Sequence, residues 1–255
     1  MDTRQFLDTV LGSEGFYCTV GMKDGINVKF SETKEDALAH INTANKNDNN
    51  VYVALATFKT EKREKNNVKQ LKTLFLDIDC GEGKDYPAKT EAYTALKEFT
   101  KRYTLPKPSV IVDSGRGWHV YWVLDKPYGR DEWVAVAGQL KRACKHAGFK
   151  ADVQVTADAA RILRVPGTRN HKTSPPLDCT VYSHNDGVIS LEEFSSKLPE
   201  DLMPVLSIQE FSEEDQEDMK NALGNRVIKR FDVLLEKTVK GEGCAQIDRA
   251  IREPN

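Results

Sequence analysis

The segment IVDSGRGWHVYWVL, residues 111–124, holds two apolar, β-rich runs separated by Gly115-Arg116-Gly117. Glycine adopts positive φ at little cost, so this short break turns the chain through a hairpin rather than a crossover. Strands joined this way pair antiparallel, so a sheet containing them cannot be the all-parallel sheet of a doubly wound fold. Alternation along the second strand puts His119 and Tyr121 on one face and Trp118, Val120 and Trp122 on the other. Taken alone, the segment leaves His119 with two readings, packing within the sheet or contact with a substrate.

The rest of the chain mixes strands and helices. TRQFLDTVLG has helical spacing and a glycine stop, FYCTV and INVKF form a second hairpin, and SETKEDALAHINTANKN is a capped helix. VYVALATF and LKTLFLDID are strands on either side of a polar stretch, EKREKNNVKQ, expected to be exposed. AKTEAYTALKEFTKRY is a helix, and RDEWVAVAGQLKRACKHAG is another that ends at Gly148. ADVQV, RILRV and DCTVYS read as short strands, and VPGTRN as a turn. From Ser190 onward the pattern is helical and polar. The expected class is α+β.

No apolar run reaches membrane-span length, and the N-terminus lacks the basic and apolar regions of a secretory signal. An intracellular protein with no membrane partner is expected. Five scattered cysteines, none in C-x-x-C spacing, argue against a zinc site built from neighbouring residues. The net charge of −2 conceals a basic stretch over residues 141–172 and an acidic one over 191–220. The basic excess suits a phosphate-bearing partner, and the acidic run suits a solvated face or linker.

TLFLDIDC carries the most chemistry. Asp77 and Asp79 stand at i, i+2 on one strand face, where like charges repel unless a cation lies between them. Hard divalent ions such as Mg²⁺ or Mn²⁺ favour such oxygens, and paired carboxylates holding two metals serve phosphoryl transfer. The alternative is a strand that ends in solvent with two acids. A second segment, ADVQVTADAARILRVPGTRNHK, places Asp152 on an expected strand as a third carboxylate. Arg161 and Arg164, at i, i+3, would reach one cleft only through a turn or bulge, and Lys172 adds a further phosphate donor. A basic surface loop is the competing reading. CGEGKD lacks the spacing of a P-loop, and GRG lacks the third glycine of a dinucleotide fingerprint.

These three segments, in this order, resemble the archaeo-eukaryotic primase superfamily, specifically the primase-polymerase domains of phage and plasmid replication proteins. LFLDID is similar to the first motif, SGRGWHVYW to the second, and ADVQVTADAARILRVPGTRNHK to the third. The likeness runs from roughly Asn50 to His184. It implies an RRM-like mixed sheet with a smaller N-terminal α/β part, forming a catalytic domain over residues 1–189. Residues 190–255 would be a helical extension, with GEGCAQIDRAI resembling the opening of a C-terminal primase domain and a helicase possible further on.

The resemblance further implies template-directed nucleotidyl transfer on single-stranded DNA, using NTP or dNTP, in the cytoplasm of a bacterial or infected cell. Asp77, Asp79 and Asp152 would hold two Mg²⁺ or Mn²⁺ ions, and no zinc is expected. Asp152 is preferred over Asp158 because the family's aspartate precedes a threonine, here Thr156. Ser114 and His119 would bind the triphosphate, with Arg161, Arg164 and Lys172 as further donors. Asn170 would support that loop, and Arg116 would either contact phosphate or cap the hairpin. The competing functions are a non-catalytic nucleic-acid-binding module, a metal nuclease and a metal-dependent glycosyltransferase.

Overall fold

The computed structural model describes residues 1–199. The chain opens with α1 (Thr3–Val10), closed at its start by a capping box in which Asp2 and Gln5 satisfy each other's backbone amides. The hairpin β1 (Phe16–Met22) and β2 (Ile26–Ser31) follows, then α2 (Lys34–Lys46), capped by the Thr33 hydroxyl. Strand β3 (Asn50–Phe58) returns antiparallel to β1. These elements make the smaller N-terminal part.

The polar connection expected after β3 is only partly a loop. The Asn67 side chain donates to the Thr60 and Lys62 carbonyls, and a short 3₁₀ turn at Lys65–Asn67 launches β4 (Val68–Asp79). The strand therefore begins within the charged stretch, because main-chain pairing with β3 outweighs the polarity of its side chains. Helix α3 (Lys89–Arg102), the hairpin β5 (Val110–Asp113) and β6 (Gly117–Tyr128), and α4 (Arg130–Ala147) come next. Helix α4 ends where Gly148 takes the left-handed conformation at φ 67°.

Beyond α4 lie α5 (Val153–Thr156), β7 (Ile162–Arg164), β8 (Thr168–Asn170), β9 (Leu177–His184), β10 (Val188–Ile189) and α6 (Leu191–Ser196). Two local expectations fail here. ADVQV is a single helical turn, because Asp152 caps the amides of Gln154 and Val155 and diverts them from any ladder. VPGTRN is half turn, half strand: Gly167 turns at φ 89°, and Thr168–Asn170 pair with β9.

The strands form one ten-stranded sheet in the order β2-β1-β3-β4-β6-β5-β9-β8, with β7 on β3 and β10 on β6. Every pairing is antiparallel except β10 with β6. The expected α+β architecture is what folds. Its core includes Phe75 stacked on Trp133 at 5.4 Å, Tyr121 meeting Phe6 edge-on, and Trp122 meeting Phe194 of α6. Helix α6 thus packs on the sheet; the rest of the expected extension, including GEGCAQIDRAI, lies outside the described residues. No described helix is long and apolar enough to cross a membrane.

The division of the sheet between β3 and β4 positions the site. These strands pair only at Ala56–Phe58, after which β4 continues along β6 while the other half of β3 pairs with β7. The last residues of β4 therefore have a partner strand on one side only. Asp152 occupies part of the other side, its amide donating to the Asp77 carbonyl at 2.8 Å.

Candidate active site

Asp77 on β4 and His119 on β6 are direct register partners in the antiparallel ladder, as are Phe75 and Tyr121. Residues opposite one another share a sheet face, so the acid and the imidazole meet over a floor of aromatic rings. The gap from Asp77 Oδ1 to His119 Nε2 is 3.7 Å, too long for a hydrogen bond. His119 is buried, and its Nδ1 lies 3.4 Å from the Tyr121 hydroxyl. Burial, then the nearby Arg164 charge, pulls its pKa down to about 3. The ring is therefore neutral at physiological pH, able to donate one hydrogen bond but carrying no charge.

The opposite shift acts on Asp77. Its side chain keeps 19% exposure, yet burial and then the Asp79 charge raise its pKa to about 7, with Asp152 adding to the effect. Arg161 and Arg164 oppose the rise. Asp79, one step further along the strand, is more open and accepts from Lys84 Nζ at 2.6 Å. Lys84 belongs to the CGEGKD loop, which offers no P-loop yet supplies the cation nearest this carboxylate.

A turn, not a bulge, separates the two arginines from a strict strand: the Arg161 amide donates to the Asp158 carbonyl at 3.0 Å, and β7 pairs with β3 in unbroken register. Arg161 precedes β7 and Arg164 ends it, and both guanidinium groups act on Asp77 and His119 from the far wall of the opening. Arg164 is buried, and its Nη2 donates to Tyr52 Oη at 2.8 Å and Asn50 Oδ1 at 3.0 Å. Its guanidinium also lies 4.9 Å from the Tyr52 ring centre. Such partners offset the cost of burying the charge and fix its orientation. The Nε atoms of Arg161 and Arg164 are buried without a hydrogen-bond partner. Asn50 and Tyr52 give no sign of this role in the sequence, since they lie over a hundred residues away from Arg164.

The hairpin turn closes the near end. Gly115 has φ 88°, and a Cβ on Gly117 would collide with the Ile78 carbonyl, so β4 and β6 can approach here only because a glycine is present. Ser114 is buried at the turn, its amide donating to the Gly117 carbonyl. Asn170 locks this turn to the third segment: its Nδ2 donates to the Ser114 carbonyl at 2.9 Å, and its Oδ1 accepts from the Lys172 amide at 3.1 Å. Arg116 and Lys172 face a cleft of about 520 Å³ together with Lys89 and Gly115. Lys89 is held by both oxygens of Asp113, at 2.6 and 2.8 Å, a pair the sequence did not single out.

Among the described residues no group of three His, Cys, Asp or Glu side chains stands at metal-binding spacing. Asp152 reaches Asp77 through its backbone and its charge, while its Oδ1 caps α5. The donor chemistry nevertheless suits a hard cation at Asp77 and Asp79: two carboxylate sets, one buried and held partly protonated by burial and its acidic neighbours, would be relieved by positive charge.

The same arrangement of strands recurs in solved structures. The AEP domain of the cyanophage S-2L primase-polymerase superposes with a TM-score of 0.54 at 15% identity, covering 72% of this chain and 90% of that one. The primase RepB′ gives 0.50 at 11% identity over 92% of this chain and 69% of that one. Its catalytic domain in complex with initiator DNA gives 0.51 at 12% identity, over 76% and 92%. The described residues thus share the fold of these primase-polymerase and primase domains. In sequence it is a relative of a replication protein from Clostridium perfringens, 31% identical over 174 residues, 65% of this chain. The match spans 40% of that relative's length. No family model matches the sequence.

Proposed function

We propose that this chain is a primase-polymerase that joins nucleotides on a single-stranded DNA template, with the Asp77 site as its catalytic centre. The observation that carries the reading is the buried Asp77 carboxylate, crowded by Asp79 and Asp152 and faced by Arg161 and Arg164. A surface that only binds nucleic acid gains nothing from acids gathered where phosphates must lie. Acids and arginines facing one another suit a triphosphate brought in with its cations.

Asp77 and Asp79 would hold Mg²⁺ or Mn²⁺, with Asp152 beside them. Bound there, the metal would supply activation of a 3′-hydroxyl and neutralisation of charge on the triphosphate. The protein's own part is electrostatic and positional. Arg164, fixed by Tyr52 and Asn50, presents a pre-oriented fork to phosphate, and Arg161 adds a second. His119 contributes a neutral hydrogen bond. Lys172 and Arg116 extend the phosphate contacts along the cleft, and Ser114 and Asn170 hold the turn that carries them. The substrates would be NTP or dNTP, and a helicase would belong to the same full-length protein. The work would take place with replicating DNA in the cytoplasm of a bacterial or infected cell.

The test is primer synthesis and extension on single-stranded DNA with Mg²⁺ or Mn²⁺, comparing the two nucleotide types. Products should appear with the wild type and fall to background with Asp77→Ala or Asp79→Ala, both folded by circular dichroism. Synthesis by either variant at the wild-type rate removes the assignment. Cleavage of DNA without triphosphate identifies a nuclease instead.

A further inference from the structure

On the sheet face opposite Asp77, three aromatic rings gather beside α3. Tyr182 of β9 lies 4.8 Å from Trp118 and 5.5 Å from Tyr93, and Trp118 lies 6.0 Å from Tyr93, all between ring centres. Trp118 is buried, but Tyr182 is 55% exposed, among the most exposed large apolar side chains described. Two cations flank the cluster. Lys97 Nζ lies 5.1 Å from the Tyr93 ring centre and Lys89 Nζ 5.8 Å from that of Trp118. Lys89, Tyr93 and Lys97 recur every fourth residue, so they form one stripe along α3.

Packing accounts for Trp118, but it does not require the exposed Tyr182. An open ring beside buried Trp118 and half-buried Tyr93, bordered by lysines of which Lys89 is already paired with Asp113, offers a π-face for a base and, from Lys97, positive charge for the neighbouring phosphates. The three rings meet tilted or edge-on, at 51°, 73° and 57°, and Tyr182 is the most exposed of them. Lys89 ties this surface to the catalytic side, since it also lines the cleft with Arg116 and Lys172. We infer that Tyr182, Tyr93, Lys89 and Lys97 form a stacking platform that holds unpaired bases of a single-stranded nucleic acid outside the catalytic centre. The choice of nucleic acid rests on the primase reading, whereas the platform itself is tested by binding.

Fluorescence anisotropy with a labelled 25-nucleotide dT oligomer, with no metal or nucleotide present, reads this directly. Tyr182→Ala should weaken binding about tenfold and Tyr182→Trp should preserve it, as expected for a base stacked on the ring. A 25-residue abasic oligomer, which keeps every phosphate, should bind the wild type about tenfold more weakly than dT and should bind Tyr182→Ala and wild type equally. Lys97→Ala should steepen neither difference but should reduce the salt dependence of binding. Equal dT affinity for Tyr182→Ala and wild type overturns the platform, as does the same dT-to-abasic ratio in both proteins. If those binding differences appear while the wild type makes no primer, the catalytic reading fails and the platform stands.

Discussion

Asp77 and His119 face each other as a register pair across β4 and β6, 3.7 Å apart, yet they do not form an ion pair. Burial acts on both and drives them in opposite directions, Asp77 up to about 7 and His119 down to about 3. Between those values both are uncharged. Above pH 7 Asp77 becomes a buried carboxylate crowded by Asp79 and Asp152 and only partly offset by Arg161 and Arg164, which couples the site to a cation and to pH.

The first consequence concerns stability. A carboxyl raised in the folded state binds its proton more tightly there than in the unfolded chain. Its contribution is complete below the unfolded value near 3.8 and is lost as pH rises toward 7. That rise is on the order of 4 kcal/mol. In EDTA, the melting temperature of the wild type should therefore fall between pH 4 and 7, and Asp77→Asn should flatten the fall and be the more stable protein at pH 8. Equal pH profiles for the two would show that Asp77 is not held protonated. Mg²⁺ or Mn²⁺ at pH 8 should raise the wild-type melting temperature and leave that of Asp77→Asn unchanged.

Asp152 has two separable roles. Its Oδ1 caps α5, and its charge acts on Asp77. Asparagine keeps the cap and removes the charge, whereas alanine removes both. Asp152→Ala should lose about 1 kcal/mol in chemical denaturation and Asp152→Asn almost none. If Asp152 serves the metal, primer synthesis should fall to background in both. Wild-type activity in Asp152→Asn would confine the residue to capping.

His119 should act through a hydrogen bond and not through charge. In primer extension, His119→Ala should raise the apparent KM for nucleotide about tenfold, the cost of losing one buried hydrogen bond. The pH–rate profile from 5 to 8 should keep its wild-type shape, because a ring with a pKa near 3 does not titrate there. An inflection near pH 6.5 that disappears in the variant would show a charged histidine instead.

Gly117 tests the backbone geometry under the site. Gly117→Ala places a methyl group against the Ile78 carbonyl and must push β6 from β4 beside Asp79. The variant should lose about 2 kcal/mol or more of stability. Gly25, with open space around it, is the control, and Gly25→Ala should be nearly neutral in the same denaturation experiment.

Local pattern was enough for several features. The 3.6-residue period of RDEWVAVAGQLKRACKHAG and its final glycine set α4, and the glycine-broken apolar runs set the β5–β6 hairpin. Strict alternation along TLFLDID put Asp77 and Asp79 on the same face as Phe75, and the same rule put His119 beside Tyr121. These properties belong to single segments, so they can be read without knowing the partner. The segment around Asp152 could not, because ADVQV has the composition of a strand and only the competition between a side-chain cap and a ladder made it a helical turn.

Tertiary structure alone decided which distant groups meet. Nothing near Arg164 announces that Asn50 and Tyr52 will fix its guanidinium, or that Asn170 will bolt the Ser114 turn to the Lys172 loop. The pairing of Lys89 with Asp113 and the meeting of Tyr182 with Trp118 and Tyr93 likewise depend on where β9 and α3 pack. The sequence by itself determined an α+β chain with paired acids, a histidine hairpin and a basic third segment. The opening between β3 and β4, and with it the opposite shifts of Asp77 and His119, came only from the folded sheet. Burial and charge proximity are properties of three-dimensional neighbours, and the order of residues along the chain does not specify them.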